Sequence, residues 1–404
     1  MDLYYYIILL VVLPQLLFLI QSFCNYHYAL TKYQQKRSSY QPSTVVIVPC
    51  KGLDSGFDAT VASFFNQDYE NYLLWFVVED TSDPAYERLC ELKDELSAGS
   101  KALDVQIFLA GRAQGSSQKT HNLLHCCRQI ADDIEILAFA DSDICVRSDW
   151  LSHLVWPLRR PKHGASTGYR WFVPTKNNLA SLALSAANAK VAQLLGNTRF
   201  NQLWGGSMAI RVEVFRRAGI DRIWSMASTD DLSLSRAVKK AGMKVAFVPA
   251  CLVPSYESTT WRGLFEFGRR QFLITRVHAP ATWWFGLSGG LYSVLGLWGS
   301  LFLAAYTAVT GHKSLPVFAV IAAVFVAAQL TQAILRQKMI SKLLKDDLPR
   351  MKPAMVADIL GFWVWSLLFL LLLISSAFSR TIRWRGIRYK LLSPTETIII
   401  DRRS

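Results

Sequence analysis

Long apolar segments near both ends of the chain constrain its fold more than any other feature. The first covers residues 3–20, and three more cover residues 283–310, 315–335 and 355–378. Apolar stretches of this length are candidates to cross the ~30 Å hydrocarbon core of a bilayer as α-helices. The sequence therefore predicts an integral membrane protein. We expect an N-terminal transmembrane anchor at residues 1–25 and a C-terminal membrane region at residues 281–379.

The composition agrees with a membrane protein that also carries a soluble domain. Of 404 residues, 51% are hydrophobic and only 18% are charged, whereas soluble domains carry about 25% charged residues. The formal net charge is +14, but Lys and Arg cluster beside the apolar segments, where they meet anionic lipid headgroups. We therefore expect the membrane bilayer as a partner and no nucleic acid.

Basic residues and cysteines predict how the chain is oriented. The N-terminal segment has no basic start and no small-residue cleavage site, which favours a retained anchor over a removed signal peptide. Lys32, Lys36 and Arg37 follow it, and by the positive-inside tendency they place the next domain in the cytoplasm. The seven cysteines form no C-x-x-C pair, which fits reduced thiols and argues against a zinc site.

The C-terminal membrane region leaves its topology open. Residues 337–353 are basic and are predicted to form a cytoplasmic interfacial helix, and the tail, residues 380–404, is also basic. Three full spans after a cytoplasmic domain would put this tail outside. Either one of the three apolar segments is re-entrant or interfacial, or the tail is an exception to the positive-inside tendency. Gly286, Gly289 and Gly290 favour a break in the first block.

Residues 43–260 alternate short apolar runs with amphipathic stretches, which is typical of an α/β domain with a parallel sheet. The predicted strands are residues 44–48, 73–78, 105–109, 134–140, 164–171 and 243–248, and the predicted helices are residues 58–66, 84–97, 119–130 and 229–241. In such sheets ligands bind beyond the carboxyl ends of the strands. An Arg-rich stretch at residues 261–280 is predicted to be an amphipathic interfacial helix.

Two carboxylates, Asp141 and Asp143, directly follow the predicted strand 134–140. Carboxylate oxygens are ligands for hard divalent cations, whose other positions diphosphate oxygens and water can fill. The cation would neutralise charge on a nucleoside-diphosphate leaving group. A D-x-D sequence alone is more often a solvated turn, but its place after a buried strand favours Mn²⁺ or Mg²⁺ binding.

A second acidic site, Glu79 and Asp80, ends the strand 73–78. An acid there can accept hydrogen bonds from the base or ribose of a nucleotide. The alternative is helix capping, because Ser82 or Asp83 before Pro84 is a good helix start. Both readings can hold at once, with Asp80 binding and Asp83 capping.

A third acidic pair, Asp230 and Asp231, begins the helical pattern 229–241. Carboxylates at this position are commonly caps only, and the helix dipole is expected to lower their pKa. Transfer to a hydroxyl group, however, needs a base, and one of these carboxylates can take the proton.

Other polar residues are weaker candidates. Lys119 and Asn122 are candidates for contacts with a diphosphate and a sugar, although a lone Lys is usually a solvated surface charge. The turn from Trp204 to Gly206 would let the backbone approach a ligand closely, although Gly-Gly is as often only a turn.

The order of these motifs resembles the family 2-like glycosyltransferases with a GT-A fold, and more closely the ceramide glucosyltransferase family, which is family 21, including its bacterial members. The matching pieces are Pro49-Cys50-Lys51-Gly52, the acids before Pro84-Ala85, Lys119 with Asn122-Leu123, the two acidic pairs and the tail Trp384-Arg385-Gly386-Ile387-Arg388-Tyr389. In place of a Q/R-x-x-R-W motif the chain has Phe267-Gly268-Arg269-Arg270-Gln271-Phe272.

This resemblance implies an integral membrane protein of a bacterial inner membrane with a cytoplasmic GT-A domain. It implies inverting transfer of a hexose, glucose first, from a UDP-sugar to a lipid acceptor. Ceramide is the preferred lipid, and hopanoids and diacylglycerol are alternatives. The roles that it implies are nucleotide-sugar binding by Lys51, Glu79, Asp80, Lys119, Asn122 and Asp141, metal binding by Asp141 and Asp143, the base Asp231 beside Asp230, and acceptor or phosphate contacts by Trp204, Gly206, Arg269 and Arg270.

Two other classes of function remain as alternatives. A processive polysaccharide synthase is disfavoured by the altered Q/R-x-x-R-W motif and by the few membrane segments. An inactive membrane adaptor would have no reason to carry acidic residues at three places in one sheet domain. A transporter should show more membrane spans, and charged residues at membrane depth.

Overall fold

The computed structural model describes residues 2–35, 40–54 and 56–402. The N-terminal helix α1 is Asp2–Tyr33, so it continues well beyond the predicted end of the anchor at residue 25. Its last turns pack on the soluble domain, where the Tyr28 hydroxyl donates to the carbonyl oxygen of Phe247 at 2.9 Å. Lys36 and Arg37, which contributed to the predicted orientation, lie outside the described residues.

The soluble domain alternates strands with helices, as predicted. The strands are β1 Thr44–Pro49, β2 Tyr72–Val78, β3 Asp104–Leu109, β4 Ile136–Ala140, β5 His163–Pro174, β6 Ser207–Arg211 and β7 Lys244–Glu257. The helices are α2 Phe57–Phe65, α3 Pro84–Leu96, α4 Gln118–Cys127, α5 Trp150–Val155, α6 Leu179–Ala192, α7 Val212–Arg217, α8 Ile220–Trp224 and α9 Asp231–Lys240. Short 3₁₀ turns lie at Ser97–Gly99 and Trp156–Arg159.

The strands form one sheet in the order β3-β2-β1-β4-β6-β5-β7. Neighbouring strands pair in parallel except at β6, which is antiparallel to β4 and to β5. The predicted α/β fold class is confirmed, and each predicted strand is present. The sequence missed β6, a five-residue strand behind two glycines, because only its pairing with two neighbours makes it a strand. The predicted strand also ended before the observed end of β7. Prolines usually end a strand, but an edge strand such as β7 tolerates them.

Both faces of the sheet are buried under helices. Val46 and Val48 of β1 point into one apolar cluster with Trp150, whereas Val45 and Ile47 point into another on the opposite face. Successive side chains of a strand alternate between faces, so a strand that is apolar at every position belongs in a sheet covered on both sides. This burial fixes the strand ends that carry the acids.

The membrane region follows the soluble domain. Its helices are α10 Trp261–His278, α11 Pro280–Val294, α12 Ser300–Val309, α13 Leu315–Leu343, α14 Leu348–Leu360 and α15 Phe362–Ser375, and a π-helical turn, Leu295–Gly299, joins α11 to α12. In the described part of the chain, three helices are long and apolar enough to cross a membrane: Ile8–Tyr33, Pro280–Val309 and Leu315–Leu343. Helices α14 and α15 pass the same test only together and are bent by 87°.

The break in the membrane region lies in the third block, so the expectation that it lies in the first block is wrong. A Cβ on Gly361, between α14 and α15, would come within 2.7 Å of the Ala357 carbonyl oxygen, so only glycine fits this joint. Gly286 and Gly290 instead face Leu373 and Leu370 of α15, where small residues allow close helix packing.

The predicted helix at residues 337–353 is not one continuous helix. Helix α13 continues to Leu343, the chain breaks, and α14 begins at Leu348. Arg336 is a buried charge that forms two 2.6 Å bonds with the carboxylate of Asp358. The carboxylate of Asp347, in the break, accepts a hydrogen bond from the Tyr256 hydroxyl at 2.7 Å. Contacts with the rest of the protein therefore shape this segment.

The basic tail is a folded element. It forms a three-stranded antiparallel sheet from β8 Thr381–Trp384, β9 Ile387–Ser393 and β10 Glu396–Arg402. Its apolar side chains, among them Tyr389 and Leu391, pack with Leu273 of α10. Arg385 and Gly386, at the β8–β9 turn, have positive φ angles of 47° and 78°, as the tightest hairpin turns require.

Candidate active site

The three predicted acidic sites lie at the carboxyl-end edge of the sheet, and two of them are in one cluster. Asp141 follows β4, and Asp230 begins α9. Lys119, near the start of α4, lies between them, with its Nζ 2.6 Å from Asp141 Oδ1 and 3.0 Å from Asp230 Oδ2. Burial alone would lower the pKa of Lys119, but the two carboxylates outweigh it and raise that pKa. Lys119 is therefore a fixed cation and not a solvated surface charge.

Gly205 permits this close approach of charges. A Cβ at residue 205 would lie 2.3 Å from Asp230 Oδ2 and 2.7 Å from Lys119 Nζ. At Gly206 a Cβ would lie 2.2 Å from the Trp204 ring. The turn before β6 thus needs both glycines for packing, and it brings the backbone and Trp204 to the edge of the cluster.

Arg170, in β5, is a site residue that the sequence did not single out. Its Nη2 lies 3.5 Å from Asp141 Oδ2 and 3.8 Å from Asp143 Oδ2. Its guanidinium lies over the Trp204 ring at 4.9 Å from the centroid, a cation–π distance. The one available signal was a single charged residue, Arg170, within the predicted strand 164–171.

The two carboxylates after β4 differ in their surroundings. Burial would raise the pKa of Asp141, but Lys119 and Arg170 outweigh it and hold that pKa below its ordinary value. Burial raises the pKa of Asp143, and Arg170 compensates only in part. Asp143 Oδ1 is buried and has no hydrogen-bond partner.

These residues fit a hard divalent cation. The unpartnered Asp143 oxygen and the neighbouring Asp141 carboxylate supply the oxygen ligands that Mg²⁺ and Mn²⁺ prefer. No group of three or more His, Cys, Asp or Glu with metal-binding geometry occurs in the described residues. Two protein carboxylates suit a Mg²⁺-type site that is completed by phosphate oxygens and water.

Asp230 and Asp231 do not act as simple helix caps. Asp230 occupies the N-cap position of α9 without a capping hydrogen bond, and its side chain turns to Lys119. Asp231 Oδ2 accepts from the Gly205 backbone N–H at 3.1 Å, and Oδ1 accepts from the Leu232 N–H at 2.7 Å.

The expected lowering of the Asp231 pKa by the helix dipole is wrong. Burial, and then the charge of Asp230, raise the pKa of Asp231 to about 7. Asp230 is 4% exposed, whereas Asp231 is half-buried. Asp231 is therefore the more accessible acid of the pair, and its pKa suits proton transfer near neutral pH.

The second acidic site lies at the end of β2, next to the tail. Glu79 forms ion pairs with Lys51 at 2.8 Å and with Arg402 of β10 at 2.9 Å. Asp83 caps α3, as one reading expected, by accepting from the Ala85 N–H. Asp80 accepts from the Ser82 N–H at 2.8 Å and stays partly open to solvent. The sequence missed Arg402, because it is 323 residues from Glu79.

Three further predicted residues lie outside both the cluster around Lys119 and the second acidic site. Asn122 is buried, and its Oδ1 accepts from Gln118 Nε2 at 2.8 Å. Arg269 donates to the carbonyl oxygens of Ser375, the last residue of α15, and of Phe378, each at 3.2 Å. Arg270 donates to the Arg383 carbonyl oxygen at 3.4 Å. Both arginines thus join α10 to the chain that follows the membrane helices.

Comparisons with known proteins agree with this architecture. The family model described as glycosyl transferase family 21 matches residues 12–397. Ceramide glucosyltransferase 3 of Caenorhabditis elegans is 28% identical over 115 residues, which are 28% of this chain and 24% of that protein. The match therefore spans about a quarter of the curated relative.

Two solved structures match this chain at low sequence identity. A mannosyltransferase from Pyrobaculum calidifontis, in complex with GDP-Man and Mn²⁺, is 15% identical and has a TM-score of 0.45, with 92% of this chain and 97% of that chain covered. GalNAc-T7 with UDP, GalNAc and Mn²⁺ is 14% identical and has a TM-score of 0.40, with 55% and 45% covered. At these TM-scores nothing follows about donor or acceptor. Because the family model spans most of the chain, and because the α/β sheet and apolar helices agree with a membrane-linked GT-A fold, the protein belongs to glycosyl transferase family 21.

Proposed function

We propose that the protein moves a hexose, glucose first among the candidates, from a UDP-sugar to a lipid hydroxyl group, with ceramide as the preferred lipid. One observation carries this proposal. A half-buried carboxylate with a pKa of about 7, Asp231, lies beside a fixed cluster of Lys119, Asp141 and Asp230. Such a site holds a proton acceptor next to groups that can balance the charge of a diphosphate.

The proposed reaction is a single displacement. Asp231 accepts the proton of the lipid hydroxyl while that oxygen forms a bond to the anomeric carbon of the sugar. The bond from this carbon to the β-phosphate oxygen breaks, and UDP leaves with the bonding electrons. Arg170 and Lys119 lie where they can balance the charge that develops on the diphosphate.

A divalent cation held by Asp141 and Asp143 would supply further charge neutralisation to the leaving group. Glu79, Asp80 and Lys51, at the end of β2, are the proposed contacts for the nucleotide, since the carboxyl ends of the strands form the ligand edge of an α/β sheet.

The proposed acceptor reaches the site from the membrane. Helix α10 follows the soluble domain, and its Leu264 and Phe267 pack with Leu368 and Leu372 of α15. Phe267 also contacts Phe172 of β5, with ring centroids 5.6 Å apart. This apolar path connects the membrane helices with the strand that carries Arg170 and supports a lipid as acceptor.

The contacts of the tail support a topology with two crossings after the soluble domain. Arg385 pairs with Asp54 at 2.6 Å, and Arg402 pairs with Glu79, so the tail and the soluble domain lie on the same side of the membrane. An even number of crossings must separate them. Helices α11–α12 and α13 supply two, so we propose that the bent pair α14–α15 does not cross. The positive-inside tendency makes this side the cytoplasm.

Cysteine labelling tests this topology. In a background with the exposed Cys24 and Cys145 changed to serine, a membrane-impermeant maleimide should label Lys313→Cys in intact cells. Lys345→Cys should react only after the membrane is opened. Labelling of Lys345→Cys from outside, or protection of Lys313→Cys, would contradict the proposed topology.

Arg385 is expected to contribute to diphosphate binding. A hydrogen bond to Asp54 raises the pKa of Arg385, although burial alone would lower it. The charges of Asp143 and Asp141 also raise this pKa, so the Arg385 guanidinium lies near these two carboxylates. A hydrogen bond to a charged group contributes about 1.5–3 kcal/mol. We therefore expect Arg385→Ala to lower kcat/KM for the donor by at least about tenfold. The control Arg383→Ala removes an exposed cation from the same hairpin and should leave kcat/KM near the wild-type value. Equal losses in both variants would contradict this role.

The proposed activity is tested by incubating the full chain in detergent with UDP-glucose, UDP-galactose and UDP-N-acetylglucosamine. Each donor is combined with ceramide, diacylglycerol and a hopanoid. Mass spectrometry of the lipid products and assay of free UDP are the readouts. We expect one lipid monoglycoside and an equal amount of UDP, with ceramide and UDP-glucose as the best pair. A polymer, or no product with any pair, would contradict the proposal.

A further inference from the structure

A pocket lies at the edge of the sheet opposite the one that carries the cluster of Lys119, Asp141 and Asp230, which we call the acid cluster. It has a volume of about 210 Å³, and we call it the basic pocket. It is lined by Tyr28 and Lys32 of α1 and by Arg159, Arg160, Lys162, His163 and Lys244 of the soluble domain. His163 and Lys244 begin the parallel strands β5 and β7. The basic pocket is therefore at the amino ends of strands whose carboxyl-end edge carries the proposed active site, and that site does not account for it.

The charge of the basic pocket has one sign. Five Lys and Arg side chains line it, and no Asp or Glu lies among the lining residues that the structure describes. The pKa of His163 is lowered, by burial first and also by the cations around it. Crowded positive charges repel one another, so a bound anion would stabilise this arrangement.

The position of the basic pocket relative to α1 indicates where the anion comes from. The apolar part of α1, Ile8–Tyr33, has 26 residues and is about 39 Å long at 1.5 Å per residue. The hydrocarbon core is only ~30 Å thick. The last turns of α1, which carry Tyr28 and Lys32, therefore reach into the headgroup layer, and both residues line the basic pocket.

We propose that the basic pocket binds the phosphate-bearing headgroup of an anionic phospholipid. Arg160, Lys162 and Lys244 supply positive charge from the soluble domain, and Lys32 supplies it from the membrane anchor. This proposal requires that α1 spans the membrane, but it does not depend on the sugar that is transferred. Bound lipid would hold the soluble domain against the bilayer at a point distant from the acid cluster.

The test uses the full chain in neutral detergent and measures binding by microscale thermophoresis. The probes are phosphatidylglycerol, phosphatidylcholine with the same acyl chains, and inorganic phosphate. Each basic residue near an anionic headgroup contributes about 1 kcal/mol, so we expect phosphatidylglycerol to bind at least about tenfold more tightly than phosphatidylcholine. The triple variant Arg160→Gln, Lys162→Gln, Lys244→Gln should lose at least about tenfold of the phosphatidylglycerol affinity.

A charge-matched control separates a site from general attraction. The triple variant Lys93→Gln, Arg128→Gln, Arg222→Gln removes three cations that do not line the basic pocket, and it should bind phosphatidylglycerol as the wild type does. The three substituted pocket residues are exposed, so their change leaves the core intact. If the pocket triple variant is unstable, Lys162→Gln alone should lose about fivefold.

Three results would overturn the proposal. The first is equal affinity for the two phospholipids. The second is an equal loss of affinity in the pocket and control variants. The third is equal affinity for inorganic phosphate and phosphatidylglycerol, because this result would identify a soluble anion as the ligand. The binding measurement does not depend on sugar transfer. A loss of phosphatidylglycerol affinity in the pocket variant would therefore support the lipid site even if sugar transfer is unchanged.

Discussion

Replacing Asp231 with asparagine lowers kcat for sugar transfer by at least about a hundredfold, the low end of the effect of a general base. Asparagine keeps the size of the side chain, and its amide oxygen can still accept one of the two backbone N–H groups, from Gly205 and Leu232. It cannot take a proton. The affinity for the UDP-sugar should change little, because Asp231 acts on the acceptor hydroxyl.

The pH dependence of the wild type should report the same group. Burial and Asp230 raise the pKa of Asp231 to about 7, and only the unprotonated carboxylate is a base. kcat/KM should therefore rise with pH up to about 7 and level off above it. Asp231→Asn should abolish this rise.

Two further variants control the assignment of the base. Asp221→Asn changes an exposed carboxylate at the start of α8 and should keep normal turnover. Asp230→Asn removes one partner of Lys119 and should reduce activity without removing the rise with pH. If Asp231→Asn keeps near-normal turnover and Asp230→Asn loses turnover, the two roles are exchanged. If both variants keep normal turnover, the base lies elsewhere.

Replacing Asp143 with alanine is expected to abolish metal-dependent transfer while the protein stays folded. A bound cation contributes several kcal/mol to stabilisation of the leaving charge, and each 1.36 kcal/mol is a factor of ten in rate, so the loss should be at least about a hundredfold. The wild type should lose activity in EDTA and regain it with Mn²⁺ or Mg²⁺.

The thermal midpoint separates this role from a structural one. Asp143 Oδ1 is buried without a partner, and Arg170, 3.8 Å from Asp143 Oδ2, keeps Asp141 at 3.5 Å, so Asp143→Ala should lower the midpoint little. Asp141→Ala should lower it, since the buried Lys119 loses its 2.6 Å partner. The control Asp133→Ala, at an exposed carboxylate before β4, should keep both activity and stability. Full activity of Asp143→Ala, or of the wild type in EDTA, would rule out the metal assignment.

Strand ends explain why the acids of the site were found from the sequence. Asp141 and Glu79 each follow an apolar strand, and parallel strands bring their carboxyl ends to one edge. Asp230 and Asp231 were found by their place at a helix start. The raised pKa of Asp231 was not predictable, because it depends on burial and on a second carboxylate.

The residues to which sequence reasoning gave no role are held by long-range contacts. Arg170 lies inside a strand and gives no motif. Arg385 and Arg402 pair with Asp54 and Glu79 across 331 and 323 residues, a separation that no local pattern can bridge. The bend of 87° between α14 and α15 depends on packing at Gly361, and apolar length alone could not distinguish it from a straight span.

The anomeric configuration of the lipid product tests the central claim most directly. In a single displacement the hydroxyl, activated by Asp231, attacks the anomeric carbon from the face opposite the departing UDP. Proton NMR of the purified glycolipid made from the α-linked UDP-sugar should therefore show a β-linkage. An α-linkage would mean that configuration is retained, and it would contradict a direct displacement with Asp231 as base.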